Sequence, residues 1–204
     1  MKEYMRSQFE FLDIPTPERT EWTRAFFKEQ GYPEISELEY VVTSLWNLPE
    51  REYHYVALGI LDKSVKKMSQ ESIQLFEHLI MTKSWWDTVD HIAANLVGTH
   101  FTRYPQLIPS YVDKWLSSDD LWLQRTALLF QLKWKQQTDE QLLFKTVEHL
   151  MHSEEFFIRK AIGWALREYS KTSPERVVEF VRTRPLSSLS TREALKVVHK
   201  AATT

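Results

Sequence analysis

Apolar side chains recur at helical spacing through most of the chain, and short polar or proline-marked breaks separate the runs that carry them. LPEREYHYVALGILDK from Leu48, TKSWWDTVDHIAANLVG from Thr82 and SSDDLWLQRTALLFQLKWK from Ser117 each open on a turn signal and continue as a helix with a charged residue embedded in it. HSEEFFIRKAIGWALREYSK from His152 and SSLSTREALKVVHKAA from Ser187 follow the same plan. Between them lie QESIQLFEHLIM, YPQLIPSYVDKWLSS and DEQLLFKTVEHLM, with apolar residues at i, i+3, i+4 and i+7. Arg125 and Arg159 are 34 residues apart, as are Ala127 and Ala161, and Trp122 and Phe156. Two helices in a repeat of that length mark an α-solenoid of the HEAT, armadillo or TPR style. The pattern therefore predicts an all-α chain: a single domain over residues 1–204, built of HEAT-like repeats curved into a superhelix with one concave face.

Local signals place the ends of these helices. Ser84, Asp120 and Ser153 are expected as N-caps, and Pro49, Pro109 and Pro174 stand where a first helical turn tolerates proline. In the first 45 residues YMRSQFEFL reads as a helix, PTPERTEWTRAFFKEQG as a second beginning near Pro17, and ISELEYVVTSLWN as a third.

Composition narrows the classes. Glycine is scarce, 4 residues of 204, which argues against a sheet-rich fold built on tight turns. The absence of cysteine excludes a disulfide framework, a thiolate metal site and a cysteine nucleophile. No apolar run is long enough to span a bilayer, and MKEYMRSQFEF lacks the apolar core of a signal peptide, so a cytoplasmic address with no membrane partner is expected. The formal net charge of −2 hides an asymmetry. Residues 1–100 hold 10 basic and 16 acidic side chains, residues 101–204 hold 16 and 12, so the second half can meet phosphate with a basic surface. There is no Gly-rich phosphate loop, no G-x-S-x-G elbow and no H-E-x-x-H. His149 and His152 lack a third ligand partner, so neither metal nor cofactor is expected.

Candidate chemistry gathers in SWWDTVD, where Trp86 and Asp90 are four apart and share a helix face. Arg125 interrupts an apolar helix in LWLQRTALLF, and Trp164 follows Gly163 in IGWALREY. If equivalent helices stack, these four side chains converge from successive repeats. On spacing alone, however, Asp90 and Arg125 are as readily a structural pair between neighbouring repeats, and either tryptophan is as readily core. Trp22, Trp46, Trp85, Trp115, Trp122 and Trp134 are read as structural bulk.

From EYMRSQFEFLDIPTPER through LWNLPERE, TKSWWDTVD, LWLQRTALLFQLK and FFIRKAIGWALREYSKT to LSTREALK, the chain resembles the AlkD-type alkylpurine DNA glycosylases. The steps of 4, 35 and 39 residues from Trp86 to Asp90, Arg125 and Trp164 match the spacing of that family's lesion site. The resemblance implies base excision repair by a hydrolase acting on double-stranded DNA with alkylated bases. Asp90 would be the catalytic carboxylate, Trp86 and Trp164 the faces against a cationic nucleoside, Arg125 the holder of a backbone phosphate and Tyr4 a DNA contact near the lesion. It also implies that a family helix preceding Tyr4 is lacking. Further phosphate contacts are expected from Arg159, Lys160, Arg167, Arg192, Lys196 and Lys200. A purine methylated at N7 or N3 is cationic and leaves without a proton, so the protein has chiefly to stabilise positive charge on the sugar. One chain suffices to embrace a duplex, and a monomer is expected. The alternative is a solenoid that binds DNA structure, or another macromolecule, without hydrolysis.

Overall fold

The computed structural model describes residues 1–201, with side chains to Val198. Its regular elements are helical, and the one β feature among the described residues is an isolated bridge between Glu10 and Glu50. The helix-pair architecture expected from the periodicity is present. Contacts group the chain into two compact units, Met1–Leu79 and Ile80–Thr204.

The first unit holds α1 (Thr16–Gln30), α2 (Leu38–Asn47) and α3 (Arg51–Ser64). Helix α2 buries Leu38, Val42 and Trp46, one residue per turn, and packs against α3. Helix α1 begins at Thr16 with Pro17 in its first turn, but buries none of its residues. Trp22, read as core, is 56% exposed and lines an open groove with Phe26 and Val41.

The helix expected in YMRSQFEFL does not form. Residues 2–7 are turn, Arg6 and Ser7 have φ of 53° and 56°, and Glu10 is extended. Tertiary contacts at the start of α3 outweigh local propensity here. The Arg51 amide donates to the Glu10 carbonyl (2.9 Å), and the Leu12 amide to Glu52 Oε2 (3.1 Å). The buried Arg51 guanidinium lies 3.8 Å from the Phe9 ring centroid and 3.0 Å from His54 Nδ1.

The second unit stacks its helices in two rows. One row runs α5 (Trp86–His91), a π segment (Ile92–Val97) with α6 (Gly98–Arg103), then α8 (Leu121–Leu129), α10 (Phe156–Ser170) and α12 (Ser188–Ala201). The other holds α7 (Ile108–Leu116), α9 (Glu140–Leu150) and α11 (Pro174–Thr183). Helix α4 (Ile73–Met81) carries the boundary between the units.

The reason for the stacking is legible in α10. Ile158, Ala161, Ile162, Ala165 and Leu166 form a continuous buried stripe, each large aliphatic contributing about 1.5–3 kcal/mol on burial. Gly163 lets α12 approach: a Cβ there would stand 2.5 Å from Glu193 Cβ and 3.0 Å from the Ser190 carbonyl oxygen. Asp120 caps α8 as expected, accepting from the amides of Trp122 (2.8 Å) and Leu123 (2.9 Å). Ser84 and Ser153 are not caps, because the backbone turns into helix one or two residues later. The Ser84 hydroxyl donates to the Ile80 carbonyl, and that of Ser153 accepts from the Glu155 amide. Pro109 and Pro174 sit in first turns, whereas Pro49 precedes the cap of α3.

Candidate active site

Asp90 reaches the site from α5, a short helix that begins at Trp86 and passes directly into the π segment. π-Helical turns widen the backbone and recur at functional positions. This one buries Ile92, Ala93, Leu96 and Val97 against the stack and turns Asn95 toward the same pocket as Asp90. Three aromatic rings hold the start of α5 in place. Trp85 packs 5.8 Å from Trp122 on α8 and 5.3 Å from Phe157 on α10, and Trp122 lies 5.1 Å from Phe157.

Arg125 rises from α8 into the gap between α5 and α10. Its Nε donates to Asp90 Oδ1 at 2.7 Å, its Nη2 to Asp90 Oδ2 at 2.9 Å, and its Nη1 to the Phe157 carbonyl. Side-chain exposure is 5% for the arginine and 13% for the aspartate. This is a planar two-bond pair, the arrangement that fixes a carboxylate most firmly. Within the chain the guanidinium is thus held by Asp90 and the Phe157 carbonyl. Burial pushes the Asp90 carboxyl above its ordinary pKa; the Arg125 hydrogen bonds and charge oppose this, and Asp87 adds to it.

Asp90 is nevertheless not sealed. It lines a pocket of about 390 Å³ together with Trp164, Asn95, Lys133 and Glu168. Asp90 is thus brought together with Arg125 by hydrogen bonds and with Trp164 at the pocket. Trp86 is half-buried and does not line this pocket. Lys133 is anchored at the rim, its Nζ donating to Asn95 Oδ1.

The phosphate candidates divide. Arg192 and Lys196 are exposed. Lys160 and Arg167 both pair with Glu193, at 3.1 and 3.0 Å, and together they hold its carboxyl below the usual range, the Lys160 hydrogen bond contributing most. Arg159 Nε donates to the Ser153 carbonyl at 2.9 Å. The Lys200 side chain lies outside the described residues. Tyr4, in the first unit, is 69% exposed.

Sequence reasoning missed Asn95, Lys133 and Glu168. A signal for Glu168 was available: it follows Trp164 by four residues, the same offset that joined Asp90 to Trp86. Nothing in the spacing pointed to Asn95 or Lys133. Among the described residues no group of three His, Cys, Asp or Glu side chains could hold a metal ion, and no helix is long and apolar enough to cross a membrane.

An all-helical repeat protein that presents an arginine-braced carboxylate beside an indole is the class this fold and pocket define. The chain belongs to the DNA alkylation repair enzyme family, whose model matches residues 1–198. It is similar to a protein of Enterococcus faecalis described as a predicted DNA alkylation repair enzyme. That likeness is at 35% identity, covering 98% of this chain and 93% of the other, with a TM-score of 0.90. It shares its fold with AlkD2 from Streptococcus mutans (17% identity, 98% and 97% covered, TM-score 0.66). The same holds for smu.31 from Streptococcus mutans UA159 (16% identity, 87% and 91% covered, TM-score 0.66). Comparison with curated proteins found no match.

Proposed function

We propose that this chain is a monofunctional DNA glycosylase that hydrolyses the N-glycosidic bond of cationic N3- and N7-alkylated purines in duplex DNA. The observation that carries the reading is the Asp90 carboxylate, held in one orientation by Arg125 and opening on the same pocket as Trp164. A cationic base needs no general acid to depart. Its loss leaves positive charge on C1′ and O4′ of the sugar, which a fixed carboxylate stabilises without reorganising. The same carboxylate orients the water that attacks C1′. The Trp164 face attracts the cationic nucleoside, contributing roughly 0.5–2 kcal/mol. Arg125 acts through Asp90, as a positioning residue. The exposed Arg192 and Lys196 remain available to backbone phosphates.

The test is release of 7-methylguanine from duplex DNA, read as free base and as alkali-labile sites, with Asp90→Asn as control. Release by the wild type that the substitution lowers by about two orders of magnitude or more supports the reading. A second reading, a DNA-binding solenoid without hydrolysis, is favoured by one observation: both Asp90 oxygens are already engaged by Arg125. Duplex binding without release by the wild type would establish it.

A further inference from the structure

Beside the open apolar groove of the first unit lies a polar cleft of about 450 Å³, bordered by α1 and α3. That volume lies in the range of small-molecule sites. Gly59, in the interior of α3, lines it. A glycine inside a helix is destabilising relative to alanine, so the position calls for a reason. At Gly163 the reason is packing, since a Cβ there would collide with α12. At Gly59 packing supplies none: a Cβ would meet no heavy atom within 4 Å beyond its own stretch of helix. The absent side chain leaves open space on the cleft.

The lining says what kind of molecule the space suits. Arg19, Arg24 and Lys63 border it against one carboxylate, Asp62, an excess of two positive charges. Among the described residues Arg24 and Lys63 are exposed and have no ion-pair partner. Arg19 lies 4.5 Å from the Tyr55 ring centroid, and its hydrogen bond to Thr16 Oγ1 is long at 3.5 Å. Burial lowers the Arg19 pKa more than Tyr55 and Glu52 raise it, so this guanidinium is short of countercharge. Three cations alone would accept any anion, but aromatic rings stand among them. Tyr32 stacks on Phe27 through one face (4.4 Å, 12°) and is 42% exposed. Aromatic faces stack on any base, while guanidinium and ammonium groups hold phosphate. We propose that the cleft between α1 and α3 is a nucleotide-binding site, with Tyr32 stacking the base and Arg24 and Lys63 holding the phosphate. Arg19 adds to the positive field. A free nucleotide and the phosphorylated end of a single strand present the same chemistry. The site shares no residue with the Asp90 pocket and does not depend on the glycosylase reading.

Calorimetric titration of the full chain with AMP, adenosine, inorganic phosphate and a short 5′-phosphorylated single strand tests this. AMP is expected to bind more tightly than adenosine or phosphate alone. Gly59→Leu fills the open space with a better helix former, so its unfolding midpoint stays at or above that of wild type while AMP binding is lost. Arg24→Ala with Lys63→Ala lowers AMP affinity about tenfold and leaves adenosine unchanged. Tyr32→Ala lowers AMP and adenosine alike, by about tenfold. A strand that binds more tightly than AMP, and is lost with it in Gly59→Leu, identifies a strand end as the source. A strand that binds no more tightly, or whose binding survives Gly59→Leu, leaves the free nucleotide. Three results would overturn the proposal: AMP held no better than adenosine or phosphate, AMP binding retained in a folded Gly59→Leu, or the same response of AMP and adenosine to the loss of Arg24 and Lys63. The last comparison uses exposed side chains and decides the matter even if Gly59→Leu does not fold.

Discussion

Asp90→Asn removes one charge at nearly constant shape, and it separates the two roles this side chain can have. In the wild type the Arg125 guanidinium, 5% exposed, is satisfied by both carboxylate oxygens and the Phe157 carbonyl. The amide leaves it one oxygen acceptor and no countercharge. Breaking a buried pair from one side costs about 3–5 kcal/mol. The retained acceptor places this case near the lower end, and denaturant unfolding would measure it. The effect on base release is independent of that loss. Removing a single preorganised stabiliser of a charged transition state raises the barrier by about 3–4 kcal/mol, or 10²–10³ in rate. The informative variant is therefore the double one, Asp90→Asn with Arg125→Met. With both charges gone, the stability lost by the single variant is largely recovered, because no buried ion remains unpaired. Base release stays as low as in Asp90→Asn. Single-turnover release from a 7-methylguanine duplex, at a temperature where all variants are folded, reads the outcome. Release by Asp90→Asn within tenfold of wild type, or recovery of release in the double variant, would refute the reasoning and leave a purely structural pair.

Other consequences follow from the same geometry. The raised Asp90 pKa sets the acid limb of base release above the value of about 3.9 for an unperturbed aspartate, and a pH–rate profile would show it. Trp164→Ala is expected to slow 7-methylguanine release about 2–30-fold, with Trp164→Phe closer to wild type; equal rates for all three would exclude a contact with the cation. Gly163→Ala forces α12 away from α10 and should cost about 1–3 kcal/mol in denaturant unfolding; an unchanged midpoint would mean the helices slide apart freely.

Periodicity along one helix was enough to reveal the helices of the second unit and the spacing between equivalent residues in α8 and α10. The buried stripe of α10 and the cap at Asp120 depend only on residues a turn apart, so they could be read directly. The pairing of Trp86 with Asp90 on one face was legible for the same reason. The N-terminal segment was not: its apolar spacing suits a helix, but the buried Arg51 and Glu52 draw it into turn and extended backbone from about forty residues away. At the pocket, the register between stacked helices decided what no local pattern carries. It brought Arg125 onto Asp90, and set Asn95, Lys133 and Glu168 at the same pocket. Helix content, repeat length and the residues one turn apart follow from local pattern alone. Only the stacking decided which long side chain crosses to which neighbour, because a guanidinium or an ammonium can reach several partners and the packing of three helices selects one.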